Sequence, residues 1–303
     1  MQTKKFFLSI FVSSVLAFLA YFYISYLPRA FSGDIIPKAE IFSIGYIAVR
    51  WYGLLIAIGA LAGYILAEKR LVKNGVSRSK IEKILLVMII SGLIGARIGF
   101  VIQNVPFYSK NIIEIFAVWH GGLSIQGAMI AGIIGLLILA KKYKLNFLVL
   151  ANSISPHIML SSAIGRYGNF FNQEIVGKPS ERIPWKMFVA ESNRPVEYES
   201  FSFYHPVFLY ESILLILAYV IYLLLRNKYG DKIGFAYTLV LYSAIRIIVE
   251  FFRIDYRPIF LYLDLAQWVS IAIMTIGLIV GVATLTRSTN ARGQSREGFN
   301  RVE

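Results

Sequence analysis

The chain has 303 residues, 57% of them hydrophobic and only 16% charged, with a mean hydropathy of +0.64, whereas a soluble domain carries about 25% charged residues. A formal charge of +14 would point a soluble protein toward nucleic acid, but no basic helix is interleaved with aromatics here, so nucleic acid is not an expected partner. Cysteine is absent, which excludes disulfides, a thiolate nucleophile and an enzyme-bound thioester; the three histidines, His120, His157 and His205, show no metal-ligand spacing, so neither a metal nor a cofactor is expected.

In chain order, apolar runs long enough to cross a bilayer, which takes about 20 residues, fall at 6–27, 45–67, 83–103, 122–140, 146–164, 207–225, 233–252 and 265–285. The expected fold is an all-α polytopic membrane protein with the bilayer as its partner. Lys4-Lys5 before the first run resembles a signal peptide, but the run is long and no small-x-small cleavage site follows, so an uncleaved helix is expected. Basic residues cluster in alternate connections: Lys69 to Lys83, Lys141 to Lys144, Arg226 to Lys232 and Arg287 onward. By the positive-inside rule these face the cytoplasm, as do both termini. Loop 166–206 then forms a small head on the outer face. Residues from Arg287 read as a disordered basic tail. No internal repeat supports a transporter built from inverted halves.

Polar residues within or beside these spans are the functional candidates, because ionisable groups at membrane depth are costly. Tyr52, in Trp51-Tyr52-Gly53-Leu54, serves equally as an interfacial anchor. Trp119-His120-Gly121-Gly122-Leu123-Ser124 leads into the fourth span, where Gln126 can act as interhelical glue. Gly165-Arg166-Tyr167-Gly168-Asn169-Phe170-Phe171-Asn172-Gln173-Glu174 is the richest stretch. A lone Arg166 would snorkel to the interface, but Asn169 and Asn172 lie three and six residues on, and Gly165 and Gly168 permit close backbone approach. A planar charged fork beside neutral amide donors suits a phosphate diester. His205-Pro206 opens the sixth span, with titratable Glu211 a turn further on. Tyr242, Arg246 and Glu250 repeat every four residues and share a helix face. They fit either a self-satisfied ion pair or a second phosphate-binding arginine.

Taken together and in order, Arg50-Trp51-Tyr52-Gly53-Leu54, Gly95-Ala96-Arg97, Gly121-Gly122-Leu123-Ser124, the 165–174 run, His205-Pro206 with Leu209-Tyr210-Glu211, and Arg246 with Val249-Glu250-Phe251-Phe252-Arg253 resemble the prolipoprotein diacylglyceryl transferase family. The resemblance runs from about Ile41 to Gln267. It implies transfer of the diacylglyceryl group of phosphatidylglycerol to the lipobox cysteine thiol of prolipoproteins, with release of glycerol phosphate, in the bacterial cytoplasmic (inner) membrane. It implies a bundle of about seven core helices, here with span 6–27 as an extra N-terminal helix, and a division into 1–40, a transferase domain 41–286 and a tail 287–303. By motif, Arg166 takes the role of the phospholipid-binding arginine, and Asn169, Glu174, Tyr52, Tyr242, Arg246 and Glu250 match functional positions. Asn172, Gln126 and His205 are further substrate-contact candidates. Gln126 stands where many members carry a histidine proposed as general base, and an amide takes up no proton near neutral pH. Ala266 precedes Gln267 where glycine is usual. Glu174, Glu250, His205 and His120 are the remaining candidates for proton acceptor. A small-solute transporter or channel, its arginines lining an anion path, and a catalytically silent relative that binds lipid or lipoprotein are the competing classes, the latter favoured only by Gln126.

Overall fold

The structure, a computed structural model, describes residues 13–45, 47–117 and 121–299, without the side chains of residues 47, 125, 126 and 287–299. Lys4, Lys5, Trp119 and His120 therefore lie outside the described residues, as do the side chain of Gln126 and those of the basic residues from Arg287 onward.

Each expected span is met by one long helix: α1 (Ser13–Ser32), α2 (Trp51–Lys73), α3 (Arg78–Gln103), α4 (Ile125–Lys142), α5 (Phe147–Asn172), α6 (Val207–Tyr229), α7 (Gly234–Glu250) and α8 (Leu265–Phe299). Among the described residues, seven helices are long and apolar enough to cross a membrane. The helix that meets the span expected at 122–140, α4, has 18 residues, which cover about 27 Å at 1.5 Å per residue. This is an all-α multi-pass membrane protein. Among the described residues the two small sheets are the hairpin β1 (Glu40–Ile44) with β2 (Ile47–Arg50), which delivers the chain to α2, and β3 (Met187–Phe188) with β4 (Phe203–Tyr204).

Two boundaries differ from expectation. Helix α5 does not stop at residue 164 but continues to Asn172. Two glycines weaken that last stretch, yet Asn169, Phe170 and Phe171 are buried, and tertiary burial outweighs propensity. The segment that follows α5, the head, thus starts at Gln173. The backbone of α8 runs on to Phe299, where a disordered tail was expected. Ala291, Arg292, Gln294 and Arg296 are good helix formers, and no proline interrupts them.

The chain forms two compact units. The first comprises residues up to 60, 159–220 and 239–276. Its core joins Phe22, Leu27 and Ala30 of α1 to Phe170 and Phe171 of α5, Phe208 of α6, and Val176, Met187, Val189 and Tyr204 of the head. Buried Gln173 organises the head. Its amide donates to Phe188 O at 3.1 Å, and its Oε1 accepts from Ala190 N at 2.9 Å and Asn193 Nδ2 at 3.2 Å.

The second unit comprises residues 61–158, 221–238 and 277 onward. Helices α3 and α4 lie close enough that a Cβ on Gly95 would fall 2.4 Å from Gly127 O, the small-residue contact that lets membrane helices approach. Arg97 is buried there, and its guanidinium donates to the carbonyls of Glu114, Ile115, Ala117, Gly121 and Gly122. Its job is to satisfy loop backbone that the bilayer would leave unpaired.

Candidate active site

The site lies in the first unit and starts at the end of α5. Helical spacing carries Arg166, Asn169 and Asn172 along successive turns. Beyond them Gln173 and Ile175 adopt positive φ, 50° and 53°, and the chain folds back sharply. Glu174 N then bonds Asn169 O at 3.0 Å, closing the helix end. The same reversal brings the Glu174 carboxylate over the asparagines, so that Oε1 accepts from Asn169 Nδ2 at 2.9 Å and from Asn172 Nδ2 at 3.2 Å.

Tyr52 enters from the first turn of α2. It packs closely against Gly168, where an added Cβ would meet its ring Cδ2 at 2.5 Å and its Cα at 3.0 Å. Only glycine permits this approach. Tyr52 consequently sits within the electrostatic reach of both Glu174 and Arg166.

Helices α6 and α7 supply the rest. Glu211 is 1% exposed and meets two arginines: Arg166 Nη2 stands 2.5 Å from Oε1, and Arg246 Nη1 stands 3.6 Å from Oε2. Arg246 Nη2 also pairs with Glu250 of its own helix at 2.5 Å, the i,i+4 contact its spacing foretells. Glu250 is shared in turn with Arg253 at 3.2 Å, and Arg253 grips Asp255 through Nε at 2.8 Å and Nη2 at 2.5 Å. That hydrogen bond from Arg253 holds the Asp255 carboxyl below its ordinary value. The result is a chain of alternating charge, Arg166–Glu211–Arg246–Glu250–Arg253–Asp255. Each buried carboxylate is compensated, as burial demands. The side chains of Arg166 and Arg246 remain 13% and 19% exposed. Their shared carboxylate thus holds both arginines while neither side chain is fully enclosed.

His205 forms a separate group. Its Nδ1 lies 3.0 Å from the Tyr210 hydroxyl, which accepts from Trp185 Nε1 at 2.7 Å. Burial, and secondarily Lys178, hold its pKa below the ordinary 6.5. No described contact joins it to the arginines. Tyr242 shares the α7 face of Arg246 by spacing alone.

Of the residues picked from sequence, the structure brings together Tyr52, Arg166, Asn169, Asn172 and Glu174 around the end of α5, and Arg246 with Glu250 on α7. Glu211 ties Arg166 to Arg246, and sequence reasoning left it as an interface carboxylate. The available signal was its depth: a glutamate a turn inside an apolar helix needs a cationic partner. At the far end of the chain of charges, Arg253 was read only as part of the family motif, and Asp255 was not singled out.

Fold and site define a multi-pass membrane protein with a charged, partly open centre held between its helices. The prolipoprotein diacylglyceryl transferase family model matches residues 39–283, and this chain belongs to that family. It is 38% identical over 253 residues to phosphatidylglycerol–prolipoprotein diacylglyceryl transferase of Thermotoga petrophila, covering 82% of this chain and 85% of the relative. The proteins of the same name from Staphylococcus haemolyticus (37% identical; 79% of this chain, 85% of the relative) and Synechocystis (35% identical; 80% and 87%) are similarly alike.

Proposed function

We propose that this protein is a phosphatidylglycerol–prolipoprotein diacylglyceryl transferase that moves the diacylglyceryl group of phosphatidylglycerol to the lipobox cysteine of a prolipoprotein. The observation that carries the reading is Glu211 bridging Arg166 and Arg246. Two like charges this close repel unless a counter-charge holds them, and once held they offer a phosphate diester two forks at fixed spacing. In the reaction the cysteine sulfur bonds to the glyceryl carbon, the bond from that carbon to the phosphate oxygen breaks, and glycerol phosphate leaves with the electron pair. Arg166 and Arg246 stabilise the charge on the leaving phosphate, and their field favours the incoming thiolate, a free thiol titrating near 8.5.

The thiol proton needs an acceptor. Glu250 is paired with Arg246 and Arg253, and Glu211 with Arg166 and Arg246, so guanidinium groups already engage both carboxylates. Glu174 accepts only amide hydrogen bonds among the described contacts, both on one oxygen, and lies near Arg166 and Tyr52. Glu174 is the acceptor in this reading. Asn169 and Asn172 hold it, and Tyr52 borders the substrate. His205 and Tyr242 line the approach. Residues 41–286 form the transferase domain, preceded by 1–40 and followed by a cytoplasmic tail, with the site opening to the outer leaflet.

Complementation of a transferase-depleted bacterium is the test. The wild-type gene restores growth and lipoprotein modification. Arg166→Ala, present in the membrane at the wild-type level, restores neither. Growth with Arg166→Ala, or failure of the wild type, refutes the reading.

A further inference from the structure

Residues 1–38 lie outside the stretch that the family model matches, yet α1 is built into the core of the first unit. Its buried Phe22, Leu27 and Ala30 recur at helical spacing and form one stripe. The Phe22 ring lies 5.9, 6.2 and 6.3 Å from the rings of Tyr167, Phe170 and Phe171, all on the site-bearing end of α5. The Tyr23 hydroxyl hydrogen-bonds the Tyr167 hydroxyl. At these same residues, Phe22–Tyr26, α1 widens into a π turn, a local irregularity that re-aims side chains and concentrates at functional places.

Tyr167 is the next residue after Arg166. Its ring stands edge-on to Phe208 of α6 at 5.6 Å, one turn before Glu211. The aromatic group that α1 completes therefore sits beside the α5–α6 spacing on which the 2.5 Å Arg166–Glu211 contact depends. A leader helix lost on maturation would strip cover from Phe170, which is among the largest fully buried side chains of the protein.

We propose that α1 is retained in the mature protein as a positioning element of the site: Phe22 and Tyr23 hold Tyr167, and Tyr167 holds Arg166 against Glu211. Its activity readout rests on the function proposed above; its structural readouts do not. The full chain, expressed in bacteria and purified into lipid nanodiscs, is compared with Phe22→Ala, Phe22→Leu and Tyr23→Phe. Intact mass finds residues 13–32 present, and a mature chain that begins after Ser32 overturns the proposal. Hydrogen exchange in Phe22→Ala quickens at 163–172 and 207–212 but not at 81–100. No change, or equal quickening in all three segments as plain loss of stability gives, overturns it. Transfer from phosphatidylglycerol to a lipobox peptide, per folded molecule, falls on the order of tenfold in Phe22→Ala, since small misplacements of reacting groups are costly. It recovers in Phe22→Leu, which refills the space, and falls less in Tyr23→Phe. Wild-type turnover in Phe22→Ala refutes the positioning role. If the wild type itself transfers nothing, the functional reading fails instead, and mass and exchange still decide this one.

Discussion

Glu211 is the residue on which the charges of the site turn. It is fully buried between two arginines, and breaking such a pair leaves uncompensated charge at a cost of about 3–5 kcal/mol, less where the arginines keep some water. Glu211→Gln keeps the shape and removes the charge. It is expected to destabilise the protein toward the lower end of that range and to lower transfer sharply, read from thermal melts and a transfer assay on the same sample. His205 gives a pH signature. Its pKa is depressed in the folded state by burial and by Lys178, so between that value and 6.5 the unfolded chain binds more protons than the folded one. Stability is therefore complete above 6.5 and declines as pH falls through the folded value. Melts between about pH 5 and 8 show this decline, and His205→Phe flattens it.

At the scale of elements, the close approach of α2 and α5 sets where Tyr52 stands. Gly168→Ala places a methyl 2.5 Å from the Tyr52 ring, and neither backbone can yield without moving the other. The expected result is transfer reduced on the order of a hundredfold, as for a misplacement of about 1 Å, with protein still in the membrane; wild-type transfer would show that Tyr52 does not need this seat. The existence of each long helix was legible in the sequence, because apolar runs of bilayer length have few other fates. The end of α5 was not. Gly165 and Gly168 argue locally for termination, and only the burial of Phe170 and Phe171 against α1 and the head reverses that. The Arg246–Glu250 pair was readable from i,i+4 spacing. The Arg166–Glu211–Arg246 bridge was not, since depth says that a charge needs a partner without saying which of several distant ones it takes. Arg97 shows the converse: a buried arginine in a span reads as functional, and its partners prove to be loop carbonyls of its own unit.

At the scale of the whole molecule, the alternation of basic connections orients all the helices at once. That alternation predicts cytoplasmic termini, so reporter fusions after Lys142 and at the C-terminus are expected to signal from the cytoplasm and a fusion within 178–200 from outside; the opposite pattern would overturn the proposed orientation. The central claim, two arginines sharing one lipid headgroup, is tested most directly by an experimental structure of the protein with phosphatidylglycerol bound. The lipid phosphate is expected within hydrogen-bond distance, about 3 Å, of the open faces of both Arg166 and Arg246, with Glu211 still behind them. A phosphate bound elsewhere, with the two guanidinium groups against acyl chains or still closed on their carboxylates, would contradict it.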